Sequence, residues 1–435
     1  MNGCGIDFGT SNSGVALPSG DTVRLVPLED GIANMPTAVF FATDEPQATH
    51  YGRAAVREYL DGTPGRLMRS LKSLLGSSLI DETTAIGDRN LRYTDILTLY
   101  LRTLRSRTAD AIGAAPDSVV LGRPVRFVDD DAGRDRIAQR TLETCARAAG
   151  FRHIEFQLEP IAAALDFERT IEREQVVLVI DVGGGTADFS VIVLSPEHHA
   201  RADRTSDVLA NDGIHIAGTD FDTRLNMAWV MPMLGYGLTG PKGRPVPSPV
   251  YFDLSTWHRV NFLYTPKFST TLRELRLFFD DPAPYERLCN VIEQRLGHEL
   301  LGRTEQAKIE LSDATDAAID LDCIARDLHV TAHRTDLLAR LEDLLVKLVA
   351  MGRATVQAAG LDVRDVDTLY FTGGSSGMSA LRSAFGEAFP ASRIAVGDLF
   401  GSVVSGLGIE AARRFGSRTS APAVGRRKIQ PAKKN

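Results

Sequence analysis

The sequence predicts an α/β protein built from a duplicated unit, two lobes around a shared cleft, and three observations carry that reading. The stretch VVLVIDVGGGTADFSVIVL, Val176 to Leu194, sets two apolar, β-branched runs around a glycine turn and reads as a hairpin. The N-terminus, GIDFGTSNSGVAL, repeats the order, with Asp7, Gly9, Thr10 and Ser11 answering to Asp181, Gly183 and Thr186. A third glycine segment, DTLYFTGGSSGMSALRSAF from Asp367 to Phe385, reads as a strand, a Gly-Gly-Ser-Ser turn and an amphipathic helix.

Each element has a chemical sense. Glycines permit positive φ and remove Cβ atoms, so in Gly183-Gly184-Gly185 the backbone N–H groups can close on an anion, and phosphate suits such a loop. A carboxylate at the start of the loop would repel phosphate, which suggests a cation such as Mg²⁺ between Asp and phosphate oxygens. In the third segment the amides at the start of the helix are available to an anion.

Composition and absent motifs narrow the field. The 435 residues are 43% hydrophobic and 24% charged, ordinary for a globular protein of more than one domain. The opening MNGCGIDFG has no basic and apolar signal regions, and no run of about eighteen apolar residues occurs. A cytoplasmic chain without a membrane span is expected. Cys4, Cys145, Cys289 and Cys323 lie far apart, fit no metal spacing and read as reduced thiols. The net charge of −7 speaks against a specific nucleic-acid partner. From Gly416 the segment GSRTSAPAVGRRKIQPAKKN carries six Lys or Arg and no acid, and is expected to be a disordered basic tail. There is no GxxxxGK[ST], no HExxH and no nucleophile elbow. Gly235 to Gly240, GYGLTG, formally matches the dinucleotide fingerprint, but PKGRPVP follows where a helix must begin.

Taken together, GIDFGTSNS, IDVGGGTADFSVI, the strand VVLGRPVRF with its following helix and LEPIAAAL, IAGTDFDTRL, TGGSSGM and FGSVVSGLGIEAA run in the order found in one family. Over most of residues 1 to 415 the chain resembles the nucleotide-binding part of the 70-kilodalton heat-shock chaperones (DnaK-type), which have the duplicated actin-like, ribonuclease H-like ATPase fold. The resemblance implies ATP or ADP with Mg²⁺ as cofactors. It implies that Asp7 and Asp181 hold Mg²⁺, through water, and that Gly9, Thr10, Ser11 and Asn12 touch the β- and γ-phosphates. Lys72, in RSLKSLLG, matches the catalytic lysine, and Glu159 the water-orienting carboxylate; without the resemblance these would read as a solvated helix lysine and an acid in the first turn of a helix. Thr186 and Asp188 are implied to hold a monovalent cation such as K⁺, or water. Gly183, Gly184, Gly185, Gly218, Gly373, Gly374 and Ser375 are implied to let the backbone approach the nucleotide, and Glu305, Lys308 and Ser312 to reach ribose and base.

Two departures matter. Ile309 and Gly377 stand where the family has the arginines that sandwich adenine, so weaker ATP affinity or a tolerant base pocket is expected. After EAARRFGS the sequence shows no apolar linker or β-rich segment, so a member of the family lacking the peptide-binding domain is expected, and Met231 to Leu301 reads as a remodelled subdomain, within a segment of about 224–312. Its Trp257, His258, Phe262, Tyr264 and Phe268 read more readily as core than as a partner surface. The expected lobes are 1–170, completed by a helix at 400–415, and 171–399, followed by the tail at 416–435. The expected function is a slow ATPase and chaperone-like switch acting on a client or regulatory protein. A small-molecule kinase or a non-hydrolysing scaffold on the same fold stays open.

Overall fold

The computed structural model describes residues 3–416 apart from 21, 45–47, 88, 129–130, 199–200, 202–203, 258 and 399–400. The basic tail beyond Gly416 and His258 lie outside the described residues. Both expected hairpins are present. In the first half, β1 (Gly3–Phe8) turns through Gly9–Ser11 into β2 (Asn12–Ser19), followed by β3 (Thr22–Leu25), β4 (Ser118–Arg123) and β5 (His153–Leu158). In the second, β6 (Gln175–Val182) turns through Gly183–Thr186 into β7 (Ala187–Leu194), followed by β8 (Val208–Ile214), β9 (Thr368–Thr372) and β10 (Arg393–Val396).

The two sheets share one topology. Their strand orders are β5-β4-β1-β2-β3 and β8-β7-β6-β9-β10, which read from opposite ends are the same arrangement. In each, the first hairpin strand pairs in parallel with a late strand, β1 with β4 and β6 with β9, while the hairpin and the strand after it are antiparallel. The first sheet alone gains a two-residue edge strand, Met35–Pro36, on β2. β1 and β6 are buried almost throughout because helices cover both faces of each sheet.

The helices that position the site are α1 (Tyr93–Ile112), α2 (Ala132–Ala148), α3 (Glu159–Glu168), α4 (Gly218–Trp229), α5 (Gly297–Glu310), α6 (Arg334–Ala358), α7 (Ser379–Ala388) and α8 (Ser402–Phe415). α1 and α2 share a core with the first sheet, and α6 and α7 with the second. The start of α2 is set by Asp131, whose carboxylate accepts from the Gly133 and Arg134 amides. α3 and α8 cross between the sheets, and their Ile161, Ala162, Leu165, Val403 and Leu407 form a third core with Val120 of one sheet and Val177 and Val179 of the other.

Two smaller pieces flank the cleft. On the first half, the strands Ala38–Ala42, Thr49–Tyr51 and Gly65–Arg69 carry the helix Gly52–Leu60. On the second, the Pro/Gly-rich stretch after α4 folds into short helices, Pro249–Leu254, Pro266–Leu275 and Pro282–Glu293, each opening on a proline whose fixed φ suits the first helical position. After Gly240 only a short 3₁₀ turn, Pro241–Gly243, follows, so the glycine run opens no dinucleotide-binding helix. The aromatic group there is not one core cluster: Phe262 is 66% exposed, while Trp257 stacks against Arg69 from the other half. The cysteines are free, with Cys4 and Cys145 buried.

Candidate active site

The hairpin register places one carboxylate near the end of the first strand of each half. Asp7 pairs with Gly14 and Asp181 with Asp188, each one residue before its strand ends. The two turns meet at the floor of the cleft, where a Cβ added at Gly184 would collide with the Ser11 hydroxyl of the opposite loop. Above them opens a cavity of about 690 Å³. It is lined by Asp7, Gly9, Thr10, Ser11 and Asn12 from one hairpin and by Asp181, Gly183, Gly184, Gly185, Thr186 and Asp188 from the other. Lys72, Glu159, Glu305, Lys308, Ser312, Gly373, Gly374 and Ser375 join them, so that every expected site residue except Gly218 lines the same cavity.

Both loops are braced from behind. The Thr37 hydroxyl donates to the Gly9 carbonyl at 2.7 Å and its amide to Ser11 O at 2.9 Å. In the second loop the Gly183 carbonyl accepts from the Gly218 amide and the Ser375 hydroxyl, and the Gly184 carbonyl from the Thr219 amide and hydroxyl. Among the described residues the Gly184 and Gly185 amides have no protein acceptor, the arrangement an anion-binding turn requires. Gly218 therefore differs from expectation: it is not among the residues lining the cavity and acts through Gly183. The third segment differs too. Gly374–Gly377 forms a 3₁₀ turn, and α7 begins only at Ser379, because Met378 is extended and interrupts the helix.

Lys72 is not a solvated helix lysine. It sits in a short 3₁₀ turn, Leu71–Leu74, and its Nζ donates to Glu159 Oε1 at 2.6 Å, both side chains about nine-tenths buried. Glu159 opens α3 directly before Pro160. Burial pushes the Asp7 carboxyl up to about 7, Glu159 adding to the rise and Lys72 opposing it. Asp181 is raised well above the usual carboxylate range by burial and by Asp188, Glu159 and Asp7. Burial alone would lower the Lys72 ammonium, but Glu159 and Asp7 outweigh it and the net shift is upward. One ammonium among four carboxyl groups leaves the site short of positive charge, and this all-oxygen surplus fits Mg²⁺. Among the described residues no group of three or more His, Cys, Asp or Glu side chains converges as a metal cage. Asp7 and Asp181 could hold such an ion only with water or phosphate oxygens completing its shell.

At the far end, α5 brings Glu305 and Lys308 to the wall together with Ile309, Ser312 follows in the turn just beyond the helix, and Gly377 and Met378 line the same cavity. Lys308 Nζ donates to Asp222 Oδ1 at 2.6 Å. Burial lifts Asp222 to about 6, Lys308 opposing and Glu305 adding to the rise. The sequence offers Asp222 only as the second acid of GTDFD, with no sign of its partner 86 positions away. It offers nothing for Thr37, or for Asn34 and Asp398, which also line the cavity from loops.

Comparison with known proteins agrees with this geometry. A family model described as Hsp70 protein matches residues 3–231 and 290–395. The chain is 24% identical over 439 residues to a protein named chaperone protein HscA homolog from Herminiimonas arsenicoxydans, a match covering 96% of this chain and 59% of that protein. The chain thus spans about three-fifths of the length of that curated relative. The matched residues include both hairpins, the lysine and glutamate between them and the glycine turn that closes the cleft, and the chain belongs to the Hsp70 family.

Proposed function

We propose that this chain binds ATP or ADP with Mg²⁺ in the cleft, hydrolyses ATP slowly, and acts as a chaperone-like switch toward a client or regulatory protein. The observation that carries the reading is the buried Lys72–Glu159 pair in the same cavity as both hairpin carboxylates. In this reading the glycine-loop amides and Lys72 bind the phosphates, and Glu159 accepts a hydrogen bond from the attacking water and orients it. Bound Mg²⁺, water-held by Asp7 and Asp181, supplies the positive charge that the carboxyl groups lack. Thr186, which donates to Asp188 at 3.2 Å, offers oxygens for K⁺ or water beside the phosphates. Ile309 and Gly377 leave the base without arginine stacking, so affinity for ATP is weaker or less base-selective than two arginines would give.

The proposed lobes are 1–170 with the closing helix 400–415, and 171–399 with a remodelled subdomain at about 224–312. No described helix is long and apolar enough to cross a membrane, and we place the protein in the cytoplasm. The chaperone assignment draws on the family and on the name of the relative.

The test is phosphate release from γ-labelled ATP·Mg²⁺, beside Asp181→Asn and Lys72→Ala and with a panel of sugar acceptors. Slow release reduced about a hundredfold or more in either variant is expected. Unchanged release in both sinks the site assignment, and label on a sugar makes the protein a kinase.

A further inference from the structure

A second cavity, of about 350 Å³, lies beside the cleft on the first half, between the helix 52–60 and the strand 65–69. Three arginines line it, and they are not equivalent. Arg53 is committed: its guanidinium donates to Glu29 Oε2 at 3.0 Å, to Asn34 O at 2.6 Å and to Asn34 Oδ1 at 2.8 Å. The guanidinium groups of Arg69 and Arg57 make no hydrogen bond or ion pair with any described residue, although both backbones are paired in the strand and the helix. Arg57 is exposed, but Arg69 is half-buried, with its guanidinium stacked on the Trp257 ring at 4.3 Å.

Stacking covers a face of the guanidinium and leaves its in-plane N–H donors unsatisfied. Burial lowers Arg69 to about 10, with the charge of Glu305 opposing. A desolvated guanidinium with free donors is the group that planar, two-oxygen anions satisfy. Pro36, Val56 and Leu60 supply an apolar wall beside the arginines. Asp61 is the acid among the lining residues, and it stands exposed at the end of the helix, where water screens it. Trp257 falls in 232–289, the internal stretch that the family model does not match, so the surface that holds Arg69 in place belongs to this chain's own remodelled segment.

We propose that this cavity is a second anion site, separate from the nucleotide cleft, which takes the carboxylate or phosphate group of a small molecule with an aliphatic flank. Arg69 forms the paired hydrogen bonds, Arg57 closes on the anion from the rim, and the aliphatic part lies along Val56 and Leu60.

The experiment is calorimetric titration of the full chain with n-butyl phosphate and, separately, with butyrate, which distinguishes the two anion types. Wild-type protein is compared with Arg69→Gln, Arg57→Gln and Lys72→Ala, the last controlling for binding in the phosphate loops of the cleft. Saturable binding of at least one probe is expected, unchanged in Lys72→Ala and weakened about tenfold or more in Arg69→Gln and severalfold in Arg57→Gln. Thermal melting checks the fold of each variant. If Arg69→Gln does not fold, Arg57→Gln decides, because that side chain is exposed and has no structural partner among the described residues. No saturable binding in the wild type, or binding that follows Lys72 and ignores the arginines, overturns the proposal.

Discussion

Lys72 shows what one residue's surroundings can do. An ammonium about nine-tenths buried is stable there because Glu159 lies 2.6 Å away and Asp7 nearby. Asp7 is the converse, a carboxyl whose proton is retained by burial up to about pH 7. Its folded pKa lies above the unfolded value, so the stability it contributes is complete below about pH 4 and is lost as pH rises through about 7. Nucleotide-free Asp7→Asn should therefore melt like wild type near pH 4 and above it at pH 8. The difference is on the order of 4 kcal/mol, a rise of about three pKa units at about 1.4 kcal/mol each. Melting curves in chelator across that range check it, and a constant difference at all pH values would refute it. Ile309 supplies a gain-of-function test: Ile309→Arg should tighten ATP binding by about 0.5–2 kcal/mol, read by calorimetry.

Among the elements, the crossing helices α3 and α8 connect the halves. Gly406 of α8 faces the Ala162 carbonyl of α3 so closely that any Cβ would collide with backbone. At an exposed helical position Gly→Ala stabilises by about 1 kcal/mol. At Gly406 the sign should reverse, with Gly406→Ala destabilising by about 1–3 kcal/mol in denaturant unfolding. The hairpins show how much local pattern can reveal: glycine turns between β-branched runs give strands, register and carboxylate positions alike. Lys72 is different, because its turn begins from Ser70 at φ 53 and is stabilised by burial rather than by helix propensity. The 3₁₀ turn at Gly374–Gly377 was likewise illegible as such, since a strand-glycine-helix pattern does not specify how many residues separate strand from helix.

At the scale of the whole molecule, the two flanking pieces close over the cleft through side chains from both halves. His298 donates from Nε2 to the Trp257 carbonyl at 2.9 Å, so Nδ1 accepts from the Tyr59 hydroxyl at 2.9 Å. Burial lowers His298 to about 3, with the Trp257 carbonyl opposing, so the ring is neutral at physiological pH and this hydrogen-bond pattern holds. Tyr59→Phe removes the bond that spans the cleft, and stopped-flow release of a fluorescent ADP analogue should quicken severalfold. If the rate is unchanged, the contact does not restrain the nucleotide.

The sequence by itself determined the duplicated α/β architecture, the two carboxylate-bearing hairpins and the absence of a P-loop motif. These depend on periodicity and on glycines within a few residues of each other, where local sterics decide. Only the tertiary structure decided that Lys72 meets Glu159 across 87 positions, that Lys308 is held by Asp222, that Gly218 supports the second loop from behind, and that Arg69 stacks on Trp257. Each of these pairings is set by how the two sheets and their flanking pieces come together. Long-range burial and charge, which no short window of sequence contains, select the partner.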